Sequence, residues 1–141
     1  MRIPPPSRRT RRRVFVVYAV LLAIGTHWPN ARIPAPEGLR PDLLIHVVAL
    51  GLWTVLLTAS GLLGPATAAR TAAAAALVAT GYSILDEATQ AIPALGRTAA
   101  LDDWMADILG VAIGAGACLV AARGGSARSG ARSGSDGGAS E

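Results

Sequence analysis

Hydrophobic and polar positions divide the chain into four apolar stretches separated by short polar breaks. The first, Val14 to Trp28, reads VFVVYAVLLAIGTHW. The second runs from Asp42 to Leu63, the third from Thr71 to Ile92, and the fourth from Asp103 to about Ala122. None alternates apolar and polar residues with the period of two that a half-buried strand requires, so the expected elements are helices. The breaks are rich in turn residues. Four prolines and a glycine lie between Pro29 and Pro41, Gly64-Pro65 closes the second stretch, and Pro93 and Gly96 precede the fourth. A helix satisfies its own backbone hydrogen bonds in lipid, so each stretch is able to cross a bilayer. The first, at 15 residues, is short for a hydrocarbon core of ~30 Å, and Trp28 extends it as an interfacial anchor.

The expected architecture is all-α: an integral membrane bundle of four transmembrane helices, formed by residues 14–122 as one domain. Residues 1–13 carry a proline run and a cluster of arginines, and residues 123–141 are a low-complexity Gly/Ser/Ala/Arg tail. Neither offers a core, so both termini are expected to be disordered. A basic arm before an apolar stretch is also the pattern of a signal peptide. Thr26, His27, Trp28 and Pro29 provide no small-residue cleavage site, however, so the first helix is expected to remain attached.

Composition supports the membrane reading: 52% of residues are hydrophobic and only 4% aromatic, an Ala/Leu/Val/Gly pattern suited to packed helices in lipid. The net charge is +4, and all 13 basic residues are arginine. They flank the apolar stretches rather than line a groove, which argues against nucleic-acid binding. Ten of them, in the N-terminal arm, at Arg70 and in the tail, fall on one side of a four-span topology, against Arg32, Arg40 and Arg97 on the other. The positive-inside rule then places both termini in the cytoplasm of a multi-pass cell-membrane protein. The single cysteine, Cys118, excludes an intramolecular disulfide.

That orientation collects the remaining polar residues at one membrane face. Asp42 and His46 open the second stretch, Glu87 and Gln90 close the third, Asp103 and Asp107 open the fourth, and Arg97 lies in the loop between. Ionisable groups in a membrane helix are expensive, at roughly 2.5–3.5 kcal/mol each at mid-bilayer, and are functional candidates by default. Glu87 and Gln90 are three residues apart, while Asp103 and Asp107, like Asp42 and His46, are four apart, so each pair shares a helix face. Asp86 falls on another face. Asp102 is expected to serve as a helix-capping acid, and His27 as an interfacial residue. Gly110 and Gly114 form a GxxxG spacing that lets a neighbouring helix approach closely. The third helix is its expected partner, and a homodimer through the same face is the oligomer this spacing would support.

The same residues resemble the VanZ-like family of small integral membrane proteins. The resemblance rests on D-x-x-x-H at Asp42 and His46, E-x-x-Q at Glu87 and Gln90, then Gly96-Arg97 and D-x-x-x-[ND]-x-x-G-x-x-x-G at Asp103, Asp107, Gly110 and Gly114. Leu43 stands where members often carry lysine, and Asp107 where they usually have asparagine. The resemblance implies a membrane-embedded helical fold and an association with glycopeptide (teicoplanin) resistance, without a settled biochemical activity.

Three functional classes follow. The leading expectation is an outward-facing polar pocket of Asp42, His46, Glu87, Gln90, Arg97, Asp103 and Asp107 that engages a lipid headgroup, cell-wall precursor or amphipathic drug, with no cofactor and no metal. The second is a hydrolase or transferase acting on a lipid-linked substrate, with Glu87, His46 and Asp107 as catalytic candidates. A metal-dependent version would draw on His46, Glu87, Asp103 and Asp107 as nitrogen and oxygen ligands. The third is a structural or assembly subunit. A proton relay is disfavoured because the cytoplasmic halves hold no ionisable partner.

Overall fold

A computed structural model describes residues 4–28, 40–92 and 100–133, with side chains as far as 124. The described residues form four helices: α1 (Arg8–Thr26), α2 (Pro41–Ser60), α3 (Ala69–Gln90) and α4 (Leu101–Ser133). Among the described residues there is no strand.

Helix ends differ from the hydropathy boundaries where local chemistry outweighs hydropathy. α1 starts six residues before Val14, inside the arm expected to be disordered. Ser7 caps it, its Oγ accepting the Thr10 N–H at 3.1 Å, and arginine is a good helix former, so the basic turn propagates. α2 takes Pro41 at its first position and stops at Gly61, whose φ of 69° is the left-handed C-terminal conformation. α4 continues to Ser133, past the expected end near Ala122.

Contacts at the helix ends give the direction of each helix. Arg12 donates to the Gly61 carbonyl at 3.5 Å, so α1 begins where α2 ends. Thr26 reaches Asp86, joining the C-terminal ends of α1 and α3. Arg40 reaches Asp102, joining the starts of α2 and α4. Successive helices are therefore antiparallel, and α2 runs parallel to α4.

The seam between α2 and α4 is the closest in the bundle. A Cβ added at Gly110 would collide with the Val47 carbonyl, one at Gly114 with the Gly51 carbonyl, and one at Gly51 would lie 3.0 Å from the Gly110 oxygen. Gly110 and Gly114 thus pack on α2, not on α3 as expected, because α2 supplies a third glycine at the crossing. That face packs against α2 within the chain. On the other side of α2, Trp53 meets Phe15 edge-on at 5.1 Å and stacks on Tyr82 at 5.2 Å, tying α1 and α3 to the centre.

Polar side chains share the interior with an apolar cluster of Phe15, Leu50, Trp53, Leu57 and Val111, and much of the outer surface is aliphatic. Gln90, Thr54, Thr58, Thr71 and Asp107 are among its largest fully buried side chains, while Val17, Leu21, Leu44, Leu77, Leu85, Met105 and Ile113 are exposed. Thr54 and Thr58 satisfy their hydroxyls on the Leu50 and Thr54 carbonyls of their own helix. Among the described residues, two helical spans, Pro41–Ser60 and Leu101–Gly124, are long and apolar enough to cross a membrane.

Replacing Gly110 by valine is expected to lower stability by about 1–3 kcal/mol, because backbone rather than a flexible side chain must yield. Gly81→Ala, where nothing lies within 4 Å of the added carbon, is expected to hold or raise stability. Denaturant titration of both variants in micelles, followed by circular dichroism, checks the contrast.

Candidate functional site

The first turns of α2 and α4 and the last turn of α3 meet at one end of the bundle, and each contributes an ionisable side chain. His46 stands one turn inside α2, Asp107 one turn inside α4, and Glu87 in the final turn of α3. His46 Nδ1 lies 2.9 Å from Asp107 Oδ1, placed so that an imidazole N–H can donate to the carboxylate. His46 Nε2 is 3.9 Å from Asp103 Oδ2. The Ala100 N–H donates to Glu87 Oε2 at 3.3 Å. One ligating atom from each of His46, Glu87 and Asp107 falls within 4.8 Å of the others.

This cluster is buried and under-satisfied. Asp107 is 0% exposed and Glu87 7%, yet Asp107 Oδ2, Glu87 Oε1 and Asp103 Oδ1 are buried without a hydrogen-bond partner among the described residues. An unpaired buried acceptor costs about 1–3 kcal/mol, and more when charged.

Around the mouth, Arg40 organises the acids at the helix starts. Its Nε and Nη2 clamp Asp42 at 2.8–3.1 Å, its Nη1 meets Asp102 at 2.8 Å, and its Nη2 lies 3.6 Å from Asp103 Oδ1. The Asp42 and Asp102 hydrogen bonds raise the guanidinium above its ordinary pKa, so it stays charged. Sequence reasoning counted Arg40 only toward topology. The available signal was an arginine two residues before Asp42, at a helix start. Asp42 engages Arg40, while its i+4 neighbour His46 turns inward to Asp107.

Asp86 and Gln90 form a separate centre. Asp86 is 4% exposed and accepts from Gln90 Nε2 at 2.6 Å, Thr26 Oγ1 at 2.9 Å and the Tyr82 hydroxyl at 3.3 Å. His27 Nδ1 is 3.6 Å away, and His27 Nε2 contacts Thr89 Oγ1 at 2.7 Å. Gln90, expected on one face with Glu87, is instead a hydrogen-bond partner of Asp86 four residues back. Asp86, Thr26 and His27 together latch α1 to α3. Of the remaining candidates, Gly110 and Gly114 lie in the α2–α4 seam, and Arg97 lies outside the described residues.

A family model described as VanZ/LLP1 matches residues 24–122. The chain belongs to that family. No curated protein and no solved structure matches it. The matched span takes in the last turn of α1, all of α2 and α3, and the apolar part of α4, and so contains the His46–Glu87–Asp107 cluster, the Arg40 clamp and the Asp86 latch. Family membership and the two apolar spans agree on a VanZ-like membrane protein.

The two buried centres are expected to respond oppositely to mutation. Asp86→Ala strands Gln90, Thr26 and Tyr82 donors and should cost about 1–3 kcal/mol. Asp107→Asn keeps an oxygen for His46 and removes a buried charge, so its unfolding midpoint should match or exceed that of the native chain. Thermal unfolding in a single detergent compares the two directly.

Proposed function

We propose that this VanZ-family protein crosses the cell membrane four times, with both termini in the cytoplasm. Its outer end would bind a lipid headgroup, cell-wall precursor or amphipathic drug rich in hydroxyl or amine donors. The observation that carries this reading is the pair of buried carboxylate oxygens without a partner among the described residues, Glu87 Oε1 and Asp107 Oδ2, brought together from two helices beside His46. A ligand supplying hydrogen-bond donors would satisfy them. The four-span topology is supported by the aliphatic surfaces of α1 and α3, including Val17, Leu21, Leu77 and Leu85, which need lipid or another apolar cover. Trp28 and Trp104 fall at the same end as the cluster, as an interfacial belt would have them.

The His46–Asp107 contact favours a second reading, a membrane-embedded hydrolase or transferase on a lipid-linked substrate, because a carboxylate-oriented imidazole suits general acid–base work. Turnover of such a substrate by the purified protein, lost in His46→Gln, distinguishes this reading from binding alone.

On the binding reading, Glu87→Gln is expected to weaken ligand binding and to abolish any protection against a glycopeptide in cells expressing the protein, while leaving expression unchanged. Intrinsic tryptophan fluorescence and growth-inhibition assays read these outcomes; full retention of both would reject the pocket. For topology, cysteines at positions 35 and 97 in a Cys118→Ala background should react with an impermeant thiol reagent in intact cells. Protection of both would put the site on the inner face.

A further inference from the structure

We infer that His46, Glu87 and Asp107 hold a single divalent transition-metal ion, of the class of Zn²⁺ or Mn²⁺. This rests on reading the outer end as a binding site and deepens it by naming what occupies its innermost part.

The division of labour among the oxygens points this way. Two buried carboxylates, Glu87 and Asp107, each use one oxygen for positioning and leave the other without a partner among the described residues. Glu87 fixes Oε2 on the Ala100 N–H and Asp107 Oδ1 faces His46 Nδ1 at 2.9 Å, while Glu87 Oε1 and Asp107 Oδ2 have no partner among the described residues. The Ala100 N–H on Glu87 is the kind of second contact that orients a metal ligand, and an ion taking the place of the imidazole proton would be shared by His46 Nδ1 and Asp107. A cluster built only to brace the bundle would spend both oxygens on protein donors, as Asp86 does with Gln90, Thr26 and Tyr82.

Distances fit an ion. Ligand atoms bound to one Zn²⁺ at about 2.0–2.2 Å are at most roughly 4.3 Å apart. The three groups already present atoms within 4.8 Å, so a contraction of about half an ångström, within side-chain rotation, closes the site. Charge fits as well. Two carboxylates and a neutral imidazole carry a formal charge of about −2, which a divalent ion cancels inside a bundle that cannot solvate it. One nitrogen with two carboxylate oxygens is a donor set suited to zinc, manganese or iron, and the imidazole sets it apart from the all-oxygen sites preferred by magnesium and calcium.

Asp103 completes the arrangement on the open side. Its Oδ2 is 3.9 Å from His46 Nε2, and its side chain is 16% exposed. It is able to supply a fourth ligand or to flank a water. That face leads to the Arg40 clamp, so a headgroup oxygen arriving from the membrane surface would meet the ion with Arg40 beside it.

The test uses the full-length chain purified in detergent, stripped with chelator, and dialysed against micromolar Zn²⁺ or Mn²⁺ with no lipid or drug added. Elemental analysis is expected to find about one ion per chain, and the thermal midpoint should rise with metal concentration. Asp107→Asn and His46→Gln should keep the helical spectrum and the metal-free midpoint, yet lose at least ~100-fold in metal affinity. Metal no higher than the buffer background in the native chain, or native-like affinity in both variants, overturns the inference. So does a preference for Ca²⁺ or Mg²⁺. Because ligand is absent, the result is separable from the headgroup reading. Ion binding with unaltered ligand binding in Glu87→Gln sinks the headgroup pocket and sustains the ion, whereas headgroup binding without any ion sinks only the ion.

Discussion

Because Gly110 and Gly114 present no side chain to α2, the α4 backbone rests against the carbonyls of Val47 and Gly51, and the remaining geometry of the polar end follows from that contact. His46 immediately precedes Val47, and Asp107 lies three residues before Gly110. Setting these two backbones at glycine distance therefore sets His46 and Asp107 at 2.9 Å. In lipid, where the solvent is as apolar as the helix surface, helices associate through close packing and hydrogen bonds rather than by excluding water. The glycine seam supplies the packing, and the His46–Asp107 contact at its mouth supplies the polar register.

The distribution of polarity has the same origin. Threonines and serines fill much of the interior and satisfy their hydroxyls on their own helix, as Thr54, Thr58 and Ser60 do. Such small side chains let helices approach; Leu50, Leu57 and Val111 pack between them, and many other aliphatic side chains face outward. A water-soluble bundle with this distribution would expose a broad aliphatic surface. The polar interior also gives buried carboxylates a place to persist, since they are surrounded by neighbouring helices rather than hydrocarbon.

Asp86 and Glu87 are adjacent in sequence yet belong to different centres. A step of one residue turns a helical side chain through about 100°, so Asp86 points toward α1 and Glu87 toward α2 and α4. Asp86 finds donors from Thr26, Tyr82 and Gln90 and becomes a brace. Glu87 finds one backbone N–H and, among the described residues, keeps an oxygen bare. The same residue chemistry thus serves cohesion on one face of α3 and a site on the other, and the difference lies in what each face meets.

The sequence by itself determined the four helices, the family and the end of the bundle at which the ionisable residues gather. Hydrophobic segment length, turn residues and the D-x-x-x-H, E-x-x-Q and D-x-x-x-D spacings are local signals, read without knowing which helix neighbours which. Partner identity was not legible. The glycine pair was expected against α3, but Gly51, on a different helix and in no recognisable pair of its own, drew it to α2. Gln90 shares a face with both Asp86 and Glu87 by spacing, and only the position of its amide decided for Asp86. Arg40 looked like one more topological charge until the starts of α2 and α4 came together around it. Helix periodicity fixes the face on which a residue lies, but the packing of other helices decides what that face touches.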